Sequence, residues 1–290
     1  VLWIDHDGKP PTLHSAPLSV AHLLRDRLFA EKFAVVTSAT LTTSGNFDSI
    51  TSALGLDSDK RTEAIDVGSP FDYGQQGILY VAADLPPPGR DGLDMTSLDV
   101  MGELVEAAGG RTLILCSSWR AVDKAAEYLR VRCDTPVHVQ KKGESVSLLV
   151  ERFAADREST LIGTLSLWQG VDIPGDSCIQ VIIDRIPFPR PDDPVMSARS
   201  ARVDESGGSG FRSVTLPRAG LLLAQASGRL IRTGTDKGVV SVLDSRLANS
   251  GYGTSLRKSM PPMWFTTDRT TAMSSLQRLR GESEEREGQG

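Results

Sequence analysis

Leu221-Leu222-Leu223-Ala224-Gln225-Ala226-Ser227-Gly228-Arg229-Leu230-Ile231-Arg232-Thr233, followed by Gly234 and then by Gly238-Val239-Val240-Ser241-Val242-Leu243, sets a helical pattern directly against a strand pattern. At about 100° per residue, Leu222, Leu223, Ala226 and Leu230 share one arc of a helix, and Gln225, Gly228, Arg229 and Arg232 share another. The spacing predicts a helix over 221–233, stopped by Gly234 and leading into a buried strand over 238–243. Arg229 and Arg232 are i,i+3 neighbours of like charge, and no Asp or Glu lies between Ser213 and Thr235 to relieve them. Two readings are open. The pair makes a solvated face or meets a distant carboxylate, or its planar guanidinium groups hold a phosphate bidentately. Gly228, which costs a helix about 1 kcal/mol against Ala, allows close approach beside the arginines.

The same alternation recurs outward from this stretch. Leu2-Trp3-Ile4 suits a short strand, and Pro17 opens a helix carrying Val20, Leu23, Leu24 and Leu28 to about Glu31. Phe33-Ala34-Val35-Val36-Thr37 reads as a strand buried on both faces, and a helix over 46–54 ends at Gly55. After the punctuation of Gly68-Ser69-Pro70 come strand 78–81, helix 97–108, strand 112–116, helix 121–131, strand 136–139, helix 146–153 and strands 160–163 and 178–183. The expected fold is α/β, a mostly parallel sheet with helices on both faces. A boundary near Asp66 gives a segment 1–65, a domain 66–280 and an acidic frayed tail 281–290. Such sheets gather function at the carboxyl ends of their strands, here the loops after Thr37, Cys116, Gly163 and Ile183.

Composition removes several classes of protein. With 39% hydrophobic and 24% charged residues the chain is ordinary for a globular protein, and no apolar run approaches the roughly 18 residues of a membrane span. It opens on Val1 without a signal-peptide pattern and reads as a fragment of a longer protein. Cys116, Cys133 and Cys178 lack Cys-x-x-Cys spacing, so they read as buried thiols in a reducing compartment, by default the cytoplasm. His6, His14, His22 and His138 form no catalytic or metal-ligating constellation. The net charge of −5 argues against wholesale coating of nucleic acid. Between Ile179 and Thr235, however, eight arginines outweigh five acids, a local excess of +3. The phosphate cradle Gly-x-x-x-x-Gly-Lys-Ser/Thr is absent from the sequence, so the chain carries no P-loop.

Four segments at strand ends resemble, in order, the late motifs of superfamily two helicases. Val36-Thr37-Ser38-Ala39-Thr40-Leu41 is similar to motif III, residues 112–119 (Thr-Leu-Ile-Leu-Cys-Ser-Ser-Trp) to motif IV and residues 163–175 to motif V. Gln225 to Arg232, as Gln-x-x-Gly-Arg-x-Ile-Arg, resembles motif VI. Gly68-Ser69-Pro70-Phe71-Asp72-Tyr73 and Ile186-Pro187-Phe188-Pro189-Arg190-Pro191-Asp192-Asp193-Pro194 narrow the resemblance to the DinG branch of the DinG/XPD helicases, over about residues 1–262. Gln169 departs from it, standing where many members carry Glu.

The resemblance implies a RecA-like fold of the P-loop NTPase type, with this chain as the second motor domain plus the end of the first. It implies ATP bound between two such domains, the P-loop and Mg²⁺ ligands on the first domain outside this chain, and any iron–sulfur cluster of the full-length protein upstream of motif III. Arg229 and Arg232 then reach the nucleotide, Arg232 as the arginine finger, with Gln225 orienting the group and Gly170, Asp172 and Gly228 beside the nucleotide. Ser38, Ala39 and Thr40 couple nucleotide state to DNA. Ser117, Ser118 and Thr164 hold the backbone of single-stranded DNA, and Trp119 either stacks on a base or packs against the protein. The implied partners are single-stranded DNA and the first RecA-like domain, with no membrane. The implied activity is ATP-driven translocation on single-stranded DNA and duplex unwinding, 5′ to 3′, in repair or replication, with this chain inactive alone. The alternative is an ATP-independent module that binds nucleic acid or a partner, against which the arginine pair argues.

Overall fold

Residues 1–6, 10–38, 40–42, 46–57, 61–89, 92–168 and 177–287 are described by a computed structural model. Two units divide the chain, one of residues 1–68 with 188–221 and one of residues 69–187 with 222–290. In the first, β1 (Leu2–Asp5) pairs antiparallel with β2 (Thr12–Ser15), and the rings of Trp3 and His14 stack across the pair at 5.0 Å. The helix expected from Pro17 begins later, as α1 (Ala21–Leu24), and continues in wider turns over Arg25–Phe29. α2 (Asp48–Leu54) ends where Gly55, at φ 75°, supplies the left-handed C-cap.

The expected strand at residues 33–37 does not form. Phe33 and Val35 stand in solvent, and among the described residues no strand runs alongside to take up their backbone hydrogen bonds. High β-propensity does not hold a parallel strand without a ladder. Later in this unit comes α7 (Pro194–Glu205), which the apolar periodicity did not mark. It starts because the Asp193 carboxylate accepts from Val195 N at 3.0 Å and Met196 N at 2.9 Å, with Pro194 in the first turn.

The second unit opens with α3 (Tyr73–Gln76) and β3 (Gly77–Val81), then α4 (Met95–Ala108), β4 (Thr112–Cys116) and α5 (Trp119–Arg132). It continues through β5 (Val137–Val139), α6 (Val146–Ala155), β6 (Thr160–Thr164) and β7 (Gln180–Ile183), and resumes within α8 (Leu216–Ser227). β8 (Gly238–Val242), α9 (Arg246–Asn249), α10 (Gly253–Ser259), β9 (Trp264–Thr266) and α11 (Arg269–Glu287) complete it. The seven strands form one parallel sheet in the order β5-β6-β4-β7-β8-β3-β9.

Both faces of that sheet are covered. Ile114, Ile162, Ile182 and Tyr80 join Leu98, Met101, Leu104, Val122, Leu129 and Leu276 of α4, α5 and α11 in one core. The alternate strand residues Leu113, Leu115, Leu161, Val181 and Ile183 are equally buried. This is why the strands read as unbroken apolar runs, each fully buried side chain contributing about 1.5–3 kcal/mol. α11 runs on to Glu287, through much of the stretch expected to fray as an acidic tail. Ala272 and Leu276 anchor it in the core, and once nucleated a helix extends cheaply through residues such as Glu and Arg.

Candidate functional site

The helix that carries Gln225 does not carry the arginines. α8 ends at Ser227, and Gly228, Arg229 and Arg232 lie in the loop that leads to the amino end of β8. Three contacts explain the early stop. Ser227 Oγ turns back to the Leu223 carbonyl at 2.7 Å, and glycine follows. The Asp236 carboxylate then takes the backbone N–H groups of Arg232 and Thr233, both at 2.8 Å, which a longer helix would have bonded to earlier carbonyls. The Thr233 hydroxyl donates to the same carboxylate at 2.7 Å.

The rest of the loop is anchored from inside. Leu230 and Ile231, between the two arginines, are 2% and 1% exposed, while Arg229 and Arg232 are half-buried. Arg232 Nε donates to the Arg229 carbonyl at 3.2 Å. Burial lowers the pKa of both guanidinium groups, with Asp236 opposing the effect on Arg232. Both remain cations, because arginine keeps its proton in proteins. The loop therefore holds two partly desolvated positive groups on a fixed backbone, an arrangement suited to a bidentate anion.

The other sequence candidates of this unit collect at the carboxyl edge of the sheet. Register places Cys116 beside Thr164 and Leu115 beside Ile183, so Ser117, Thr164 and Asp184 are neighbours. Asp184 is 2% exposed and accepts from Ser117 N at 3.0 Å and from Ser117 Oγ at 2.8 Å, with Arg185 Nε at 3.6 Å. Burial pushes its carboxyl from 3.8 up to about 6, against the lowering effect of the Ser117 bonds and of Arg185. Next along the edge, the buried Asp244 carboxylate accepts from Ile186 N at 2.9 Å and from the Arg246 guanidinium at 2.9 and 2.7 Å.

Thr164 is held by Gln140, whose Oε1 accepts from Thr164 N at 2.8 Å while its Nε2 donates to Ser166 Oγ at 2.8 Å. Gly163 leaves little room at this point, since a Cβ there would lie 2.1 Å from Leu167 Cδ1 and 2.7 Å from Gln140 Oε1 and would force those side chains to shift. Ser118 caps α5, its hydroxyl accepting from Ala121 N at 3.2 Å. Trp119 is half-buried, with Lys142 Nζ 6.0 Å above its ring. Sequence reasoning missed Gln76, Gln140, Asp184 and Asp236, because each acts through a partner that only the folded backbone brings close.

Residues 101–263, more than half of the chain, match the helicase C-terminal domain family. This chain belongs to that family. An ATP-dependent helicase DinG of Mycobacterium tuberculosis is 54% identical over 96% of this chain and 43% of its own length. The ATP-dependent DNA helicase YoaA of Escherichia coli is 36% identical over 94% of this chain and 43% of its own length. A 3′-5′ exonuclease DinG of Bacillus subtilis is 30% identical over 90% of this chain and 29% of its own length. The chain thus spans less than half the length of these relatives. Xpd4 of S. tokodaii shares the fold, with a TM-score of 0.56 at 16% identity over 88% of this chain and 49% of that one. The sheet is accordingly RecA-like.

In this helicase domain the nucleotide candidates Arg229, Arg232, Gly228 and Gln225 lie at the amino edge of the sheet. The DNA candidates Ser117, Ser118, Trp119 and Thr164 lie at its carboxyl edge. Of the coupling residues, Ser38 and Thr40 are in the first unit, where Ser38 Oγ accepts from Thr40 N at 3.2 Å. Ala39, Gly170, Asp172 and Gln169 lie outside the described residues. Among the described residues no cluster of three or more His, Cys, Asp or Glu side chains could hold a metal ion. Cys116, Cys133 and Cys178 are separate buried thiols. No described helix is long and apolar enough to cross a membrane.

Proposed function

We propose that this chain is the C-terminal part of an ATP-dependent DNA helicase, supplying the second RecA-like domain (66–280) and, in 1–65, the end of the first. The observation that carries the reading is the anchored Arg-Leu-Ile-Arg loop, two arginines held at one sheet edge by two buried apolar residues between them. Phosphoryl transfer leaves the protein chiefly to position groups and to place charge on the γ-phosphate. In this reading Arg232 is the finger, Arg229 binds beside it, and Gln225 orients the group. Gly170, Asp172 and Gly228 adjoin the nucleotide. In this reading the P-loop and the ligands of Mg²⁺ belong to the part of the first RecA-like domain outside this chain. Any iron–sulfur cluster of the full-length protein rests on residues outside this chain, since the three separate, buried cysteines here do not suit one.

The apolar, solvent-exposed run 33–37 supports the link to that first domain, because it is a strand sequence whose neighbouring strands are not in the described residues. Single-stranded DNA would lie along the carboxyl edge, on Ser117, Ser118 and Thr164, with Trp119 stacking or packing, and Ser38, Ala39 and Thr40 would couple nucleotide state to it. Translocation runs 5′ to 3′ in this reading, in the service of DNA repair or replication in the cytoplasm. The experiment is Arg232→Ala in the full-length protein. DNA-stimulated ATP hydrolysis should fall about 10³-fold, with single-stranded DNA binding retained. Near-normal hydrolysis would overturn the assignment. The 290 residues alone should not hydrolyse ATP.

A further inference from the structure

The arginine loop owes its shape to two residues that are not arginines. Parallel register sets Gly77 of β3 beside Gly238 of β8, so the residue before Gly77 faces the end of the loop. That residue is Gln76, 8% exposed. Its Nε2 donates to the Thr233 carbonyl at 2.9 Å and to the Asp236 carbonyl at 2.8 Å, across 157 and 160 residues of sequence. From the other side, Asp236 takes the amides of Arg232 and Thr233 and the Thr233 hydroxyl. Gln76 closes the short helix begun by Asp72, whose Oδ1 accepts from Gln75 N at 3.3 Å. The Ser-Pro-Phe-Asp-Tyr phrase therefore leads by local structure into the side chain that holds the loop.

We propose that Gln76 and Asp236 are positioning residues for ATP hydrolysis. Asp236 diverts the backbone from the helix and so sets where Arg232 leaves it, and Gln76 ties the same loop to β3. The inference rests on the nucleotide-facing reading of Arg229 and Arg232. It adds that the geometry of the finger depends on a segment far from it in sequence. Reacting groups tolerate little displacement, about 1 Å being enough to lower a rate on the order of 10²-fold. A loop released from two side-chain anchors has that freedom.

The test uses the full-length protein with Gln76→Ala, Asp236→Ala, Asp236→Asn, Arg232→Ala and the double variant of Gln76→Ala with Arg232→Ala. Gln76→Ala and Asp236→Ala should each lower kcat for ATP about 10²-fold, with KM for ATP and affinity for single-stranded DNA changed little. Asp236→Asn should restore most of kcat, because its Oδ1 can accept both amides while its NH₂ donates to the Thr233 hydroxyl. The double variant should be no slower than Arg232→Ala alone, the non-additivity expected of residues acting as one unit. Wild-type kcat in Gln76→Ala overturns the proposal, as does a loss that multiplies that of Arg232→Ala. An Asp236→Asn protein as slow as Asp236→Ala overturns the assignment for Asp236.

Should Arg232→Ala itself hydrolyse ATP normally, the nucleotide-facing reading has failed, and amide hydrogen exchange reads the anchor separately. Exchange at Arg232 and Thr233, whose amides donate to the Asp236 carboxylate, should then be at least about fivefold faster in Asp236→Ala. Unchanged exchange would overturn the anchor itself.

Discussion

Acid should stabilise the carboxyl edge of the sheet, through Asp184. This carboxyl is buried at the end of β7, and burial raises its pKa from 3.8 to about 6 although Ser117 and Arg185 favour the ionised form. The folded state therefore holds the proton more tightly than the unfolded chain. The stability it contributes is fully present below about pH 4 and is lost as pH rises through about 6. One pH unit of separation is worth 1.36 kcal/mol, so ionising Asp184 inside the fold costs roughly 3 kcal/mol at neutral pH. Asp184→Asn removes the titration but keeps an oxygen for the Ser117 N–H and a polar group for its hydroxyl. Urea unfolding of both proteins between pH 4 and 7, followed by far-ultraviolet circular dichroism, isolates the effect from all other titrating groups. The stability of Asp184→Asn relative to wild type should rise by roughly 2–3 kcal/mol across that range, most steeply between about pH 4 and 6, where the unfolded carboxyl has ionised and the folded one has not. Parallel pH profiles would refute the argument that burial, more than its bonds to Ser117, governs this carboxyl.

Two further substitutions probe the sheet itself. Gly163→Ala drives a methyl group against Leu167 and Gln140 and should destabilise the chain by about 1–3 kcal/mol in urea unfolding. If Thr164 holds the DNA backbone, it should also weaken binding of fluorescent single-stranded oligonucleotide. Phe153→Ala in α6, where the ring is fully buried, should cost about 3–5 kcal/mol by the same measurement.

The order of strands and helices from residue 77 to 183 was legible because burial on both faces leaves continuous apolar runs, and because the helices carry local signals. Asp94 and Ser118 cap α4 and α5 where the periodicity begins, and Gly109 ends α4. The misreadings have the same physical root. Residues 33–37 have the composition of a buried strand, but composition does not say whether neighbouring strands exist. The arginine-bearing stretch has helical periodicity through Arg232, but Asp236 competes for its amides, and that contact appears only after the chain has turned. β9 is a three-residue edge strand, too short to show a period. At the site, the residue types and their order were readable. The grouping into two edges came from register, and Gln76, Gln140 and Asp184 owe their roles to partners 24 to 160 residues away.

β8 begins where the arginine loop ends and is followed, at its other end, by the buried Asp244, so one five-residue strand bridges the two edges. Such a strand is a poor spring and a poor slider. Shifting it by one residue would exchange Val240 and Val242 with Ser241 on the two faces, and shifting it by two would move it about 6.6 Å and break its pairing with both β7 and β3. With no small step available, β8 behaves as a stiff rod. The amino and carboxyl edges of the sheet are therefore held at a fixed spacing across β8.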